Sequence, residues 1–147
     1  MFTVKDMMTT HPHTLLRSHS LEDAKALMDE HCIRHIPIVD TDGALIGLVT
    51  QRDLLSAQSS CLEKPTFEEV STLDIPLNSI MHENVMSIAP YGGLKEAALF
   101  MQKYKVGCLP VVERGKLVGI ITDSDFVSIA INLLELQEEV DPLELDE

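Results

Sequence analysis

A chain of 147 residues, 45% apolar and 24% charged, has the composition of an ordinary globular domain, and at that size it can bury about 68–70% of its unfolded surface without a metal or disulfide staple. Its net charge of −13 excludes a nucleic-acid face, which needs basic residues against phosphate, and no apolar run approaches the roughly 20 residues of a membrane span. Cys32, Cys61 and Cys108 are odd in number and lack C-x-x-C spacing, and the start MFTVKD has no signal-peptide architecture, so buried free thiols in a reducing cytoplasm are expected.

In chain order, a V-x-x-M-M lead-in (4–8) precedes a short extended stretch, HTLL (13–16). Ser20 and Asp23 then form the pattern of a capping box, and Leu21, Ala24, Leu27 and Met28 lie on one helical stripe. Two strands follow, HIPIVD (35–40) and ALIGLVT (44–50), joined by a glycine-containing turn; both are almost continuously apolar, so both of their faces should be buried. A helix should begin after Thr50, and residues 57–75, with their KP and IP dipeptides, read as a connector.

The pattern then repeats. SIM (79–81) and VMSIA (85–89) precede a helix carrying Leu94, Ala97, Ala98 and Met101, the strands LPVVE (109–113) and KLVGIIT (116–122), and a helix after Thr122. Leu21, Ala24, Met28, Pro37 and Val39 recur 73 positions later as Leu94, Ala97, Met101, Pro110 and Val112. The turn TDGAL loses one residue in ERGKL, so Gly47, Thr50 and Asp53 return as Gly119, Thr122 and Asp125 at an offset of 72. The fold expected is mixed α/β (α+β): two β-α-β-β-α repeats, over 1–56 and 76–134, packed as a pseudo-twofold pair. One such unit alone would leave a sheet face uncovered. From Phe126 to Leu136 the apolar residues are too broadly spread for one helix face, and they are expected to meet the partner repeat and a second subunit, giving a homodimer. Residues 135–147 hold seven carboxylates and no Lys or Arg, an acidic C-terminal tail.

The doubled T-x-x-D admits two readings. A threonine at the N-cap with an aspartate three residues on stabilises a helix start by about 1 kcal/mol. Capping leaves Gly47 and Gly119 unexplained, since glycine inside a buried strand signals close approach of another backbone or of a ligand.

The pattern IPIVD-turn-LIGLVTQRDL, repeated as LPVVE-turn-LVGIITDSDF, resembles the tandem CBS domain, named for cystathionine β-synthase. That resemblance implies clefts between the repeats that take adenosine nucleotides or S-adenosylmethionine, aspartates that accept from ribose hydroxyls and threonines that face phosphate. On it, the ligand-binding residues are expected to be Thr14, Arg34, His35, Ile36, Pro37, Thr50, Arg52 and Asp53 with Ser87, Cys108, Leu109, Pro110, Thr122 and Asp125; Ile36 and Pro37 would wall the adenine. Arg34 and Arg52 are expected to cluster at one cleft, leaving Asp123 to repel phosphate at the other. The function implied is a free-standing, non-enzymatic sensor with no cofactor, binding AMP, ADP, ATP or S-adenosylmethionine and modulating an unknown target protein. The alternative is a ligand-free scaffold dimer whose T-x-x-D motifs are caps only. No nucleophile elbow or paired carboxylates point to catalysis, and His11-x-His13 lacks a third metal ligand.

Overall fold

The computed structural model describes residues 2–62 and 74–145. Of the connector expected over 57–75, residues 63–73 lie outside that part, as does the side chain of Cys61. The elements are α1 (Val4–Met7), β1 (Thr9–Thr10), α2 (Leu21–His31), β2 (His35–Val39), β3 (Leu45–Thr50), α3 (Gln51–Leu62), α4 (Leu94–Tyr104), β4 (Cys108–Glu113), β5 (Lys116–Thr122) and α5 (Asp123–Leu145), with a 3-10 turn at Leu77–Ser79. α5 runs on through most of the segment expected as an acidic tail.

Local chemistry explains where the helices start and stop. Ser20 caps α2 by a reciprocal box with Asp23: the Asp23 N–H donates to Ser20 Oγ, and the Ser20 N–H donates to Asp23 Oδ2 at 2.9 Å. Gly93, lacking a side chain, makes no such bond at the start of α4. Both helices end on a left-handed residue, Cys32 (φ 55°) and Lys105 (φ 53°), whose N–H returns to the carbonyl of Met28 and Met101 respectively.

The two hairpins are alike, β2 pairing with β3 and β4 with β5, each with one register shift, at Ile38/Val39 and Val111/Val112. The shortened turn adopts positive φ at Arg114 and Gly115, as a two-residue type I′ connection requires. The longer one is held by Asp40 Oδ1, which accepts from the N–H groups of Asp42 and Ala44, each at 2.9 Å. The stretches expected as leading strands make single parallel bridges, Leu15 with Ile38 and Ile88 with Val111. They dock on the hairpin through bonds such as Val39 N–H to the Leu15 carbonyl (3.0 Å) without extending into strands.

The sheet topology departs from the sequence expectation in a further respect. The lead-in of each repeat serves the other repeat. β1 pairs with β5, and the backbone of His82 pairs with that of Leu48 on β3. Val4 is fully buried in the core formed by Leu94, Ala97, Met101, Leu109, Val111 and Ile121. Leu77 is buried reciprocally with Leu21, Ala24, Met28, Ile36, Ile38, Val49 and Leu54. This exchange accounts for both strand glycines. A Cβ on Gly47 would lie 2.7 Å from Met81 Sδ and 3.0 Å from the His82 carbonyl oxygen; on Gly119 it would lie 2.5 Å from Met8 Sδ and 2.9 Å from the Thr9 carbonyl oxygen. The close approach that these glycines signal is the other repeat's lead-in chain.

Candidate functional site

The exchange brings the ends of both hairpins to a common centre. The Asp123 N–H donates to the Gly107 carbonyl at 2.9 Å, and the Gln51 N–H donates to the Arg34 carbonyl at the same distance, so each second helix starts beside the chain entering its own hairpin. His35 reaches across to the second repeat: a Cβ on Gly107 would sit 3.0 Å from His35 Nε2 and 3.5 Å from Asp123 Oδ2.

A cleft of about 240 Å³ opens there. The second repeat contributes Ile120, Thr122, Asp123, Ser124 and Asp125, and the first contributes Thr9, His13, Cys32, Arg34 and His35. Of the residues expected to bind ligand, Thr122, Asp125, Arg34 and His35 are therefore brought together. Arg52, Thr14 and Ser87 do not line this cleft, and the expected cluster of Arg34 with Arg52 is not formed at it. Arg34 instead faces the second repeat, its guanidinium 3.5 Å from Asp123 Oδ1, so Asp123 is opposed by a cation rather than left unpaired. Thr50 and Asp53 stand at the equivalent start of α3.

The expected adenine wall needs correction. Ile36 and Leu109 are fully buried in the two cores, and Pro37 and Pro110 also have no exposed surface. Strand alternation puts Ile36 on the core face beside Ile38, so the apolar surface of the cleft falls to Ile33 and Ile120 instead. The continuous apolar run that marked both faces of this strand as buried already pointed to this. Cys32, expected as a buried thiol, is exposed at the helix end; Cys108 is buried.

Both T-x-x-D motifs are capping boxes. Asp53 Oδ2 accepts from the Thr50 N–H at 2.8 Å while Thr50 Oγ1 accepts from the Asp53 N–H at 3.2 Å; for Thr122 and Asp125 the corresponding distances are 2.8 and 3.4 Å. The chain uses the same device at Ser20/Asp23 and, with Asp6 Oδ2 accepting from the Thr3 N–H at 2.9 Å, at α1. The caps leave a difference between the motifs. Asp53 Oδ1 is bonded to His82 Nε2 at 2.8 Å, whereas Asp125 Oδ1 has no partner among the described residues.

Electrostatics at the centre are set by burial. Burial pushes the Cys108 thiol up to about 12, with the Asp123 carboxylate adding to it, so this cysteine stays protonated and unreactive. Burial also lowers the His35 pKa, helped by Arg34 and opposed by Asp123 and Asp53. A histidine whose folded pKa is depressed takes its proton more readily when unfolded. Its contribution to stability is full above the ordinary value of 6.5 and is lost as the pH falls below it, toward the lowered folded value. Urea midpoints at pH 7.5 and 5.5 should therefore differ more in the wild type than in His35→Gln; equal pH slopes would remove His35 from the account.

Among the described residues no group of three or more His, Cys, Asp or Glu side chains could hold a metal, and no helix is long and apolar enough to cross a membrane.

The CBS domain pattern matches residues 4–60 and again 77–132. A CBS domain-containing protein of Dictyostelium discoideum is 33% identical over 90% of this chain and 93% of its own length. Relatives named as enzymes match over a small part only: the chain spans 23% of the homoserine O-acetyltransferase of Methanococcus vannielii, at 30% identity over 81% of this chain. A Vibrio cholerae protein with a proposed part in acetoin utilization is 60% identical in sequence, with a TM-score of 0.85 over 94% of this chain and 98% of that one. A CBS domain pair solved with 5′-methylthioadenosine and S-adenosyl-L-methionine superposes with a TM-score of 0.78 at 27% identity, covering 90% of this chain and 98% of that one. An Arabidopsis thaliana CBS-pair protein solved with AMP superposes with a TM-score of 0.76 at 29% identity, with the same coverages.

Proposed function

Because this chain belongs to the CBS domain family, with two copies forming one pair, we propose that it is a non-enzymatic sensor of an adenosine-containing ligand. The ligand is AMP, ADP, ATP or S-adenosylmethionine, and its binding shifts how the protein engages a partner. One observation carries the reading: a single cleft joins Arg34 and His35 of the first repeat to Thr122 and Asp125 of the second. Asp125 keeps one carboxylate oxygen for ribose hydroxyls, the start of α5 offers positive potential, and Arg34 supplies a cation to a phosphate or carboxylate. A ligand spanning the cleft touches both repeats at once, so it favours whichever arrangement of the pair fits it better. The known ligands of the two related structures are of this class.

The exposed apolar side chains of α5, Val127, Ile131, Leu133, Leu134 and Leu136, support a homodimer through that helix, the natural lever between ligand and partner. The proposal places this protein in the cytoplasm, in keeping with the free thiols of Cys32 and Cys108.

A second reading, a ligand-free scaffold dimer, is favoured by the four capping boxes, three of which do not line the cleft. Thermal denaturation with each of the four ligands and with NAD separates the two. A ligand at ~100 times its Kd adds ~2.7 kcal/mol, and so roughly 5–10 °C. Asp125→Ala should abolish that shift, while both it and Asp23→Ala lose about 1 kcal/mol of capping. Shifts that survive in Asp125→Ala would take Asp125 out of the binding site, and the absence of a shift with every ligand in the wild type would leave the scaffold reading standing.

A further inference from the structure

We propose that His82 is a specificity-determining gate that closes the Thr50–Asp53 motif in the resting chain, making the two sites unequal. The inference rests on the ligand reading above and goes beyond it. Asp53 is largely buried, and both of its oxygens are engaged, Oδ2 by the Thr50 N–H and Oδ1 by His82 Nε2, each at 2.8 Å. Against an ionised carboxylate Nε2 must carry the proton, so the imidazole donates. A ribose hydroxyl would have to donate to the same oxygen.

The corresponding oxygen of Asp125 has no such occupant, and the reason is one residue. The lead-in of the second repeat crosses β3 with His82 opposite Leu48, their backbones exchanging bonds of 2.9 and 3.0 Å. The lead-in of the first repeat crosses β5 with Thr9 opposite Ile120. Leu48 and Ile120 are equivalent in the duplication, so His82 and Thr9 occupy the same place in the two halves. Thr9 lines the open cleft and makes no bond to Asp125 among the described residues. The longer imidazole reaches Asp53 and holds it. His82 is itself 65% exposed, so the ring can swing into solvent while its backbone stays paired. Ligand entering at Asp125 displaces none of the chain's own groups from the carboxylate, whereas ligand entering at Asp53 must first displace the imidazole, a charge-assisted bond.

Calorimetry with AMP on the full chain tests this. The wild type is expected to show one site, with the second weaker by roughly tenfold or more. His82→Thr, which copies the first lead-in, should bring the two sites within a few-fold of each other, and Thr9→His should weaken the wild type's tight site. Imidazole nitrogen spectra of the wild type give a readout without mutation: the His82 signal should move only in the second binding step. Two equal sites in the wild type, an unchanged ratio in His82→Thr, or a His82 signal that stays put at saturation would overturn the gate while leaving nucleotide binding intact. Absence of AMP and S-adenosylmethionine binding from both the wild type and His82→Thr would overturn the ligand reading and the gate together.

Discussion

Leu77→Ala is expected to lower stability by about 2–5 kcal/mol and to disturb the first repeat rather than the second, to which Leu77 belongs in sequence. Leu77 has no exposed surface and packs with Leu21, Ile36, Ile38 and Val49, while its N–H donates to the His19 carbonyl at 2.8 Å. Removing three carbons from the middle of that cluster leaves a cavity enclosed by helix and sheet residues that are themselves pinned, so little collapse can offset the loss. Equilibrium urea unfolding measures the cost, and methyl spectra locate it. Shifts confined to Leu109, Val111 and Ile121, with Leu21, Ile36 and Val49 unmoved, would refute the exchange of lead-in segments.

Gly119→Ala is the second large effect, at about 1–3 kcal/mol of destabilisation. The added methyl would stand 2.5 Å from Met8 Sδ and 2.9 Å from the Thr9 carbonyl oxygen. The thioether can turn aside at modest cost. The carbonyl cannot, because Thr9 is held in register opposite Ile120, and moving it separates β1 from β5. Gly47→Ala should act in the same direction but less, since its backbone contact is 3.0 Å and its sulfur contact 2.7 Å. Adding Met8→Ala to Gly119→Ala should recover only the thioether's share. Wild-type melting of Gly119→Ala, or full recovery in the double variant, would show that the backbone approach is not what demands glycine here.

Asp53 and Asp125 stand in identical caps within a duplicated sequence, yet their environments differ. The difference comes from His82, 29 residues from Asp53 in sequence, and from Thr9, at the far end of the chain from Asp125; what joins them to the motifs is the path of each lead-in across the opposite hairpin. In the proposed sensor, this arrangement holds one site open and reserves the other without altering the motif residues themselves.

Much of this was legible in the chain. Periodicity and capping chemistry act between near neighbours, so Ser20 with Asp23, the apolar stripe from Leu21 to Met28 and the paired runs IPIV and LPVV announced their helices and strands. The recurrence of those signals announced two units and, with the CBS resemblance, their pairing. Tertiary structure alone decided which core each lead-in enters. The two cores are built from equivalent residues, so Val4 and Leu77 could satisfy either, and only the route of the chain chooses. The same choice seats Met8 and Met81 against the glycines and brings His82 to Asp53, and the pairing of the repeats sets Arg34 against Asp123. Each of these contacts joins segments from different repeats, and local sequence preference carries no term for a neighbour supplied by the other half of the molecule.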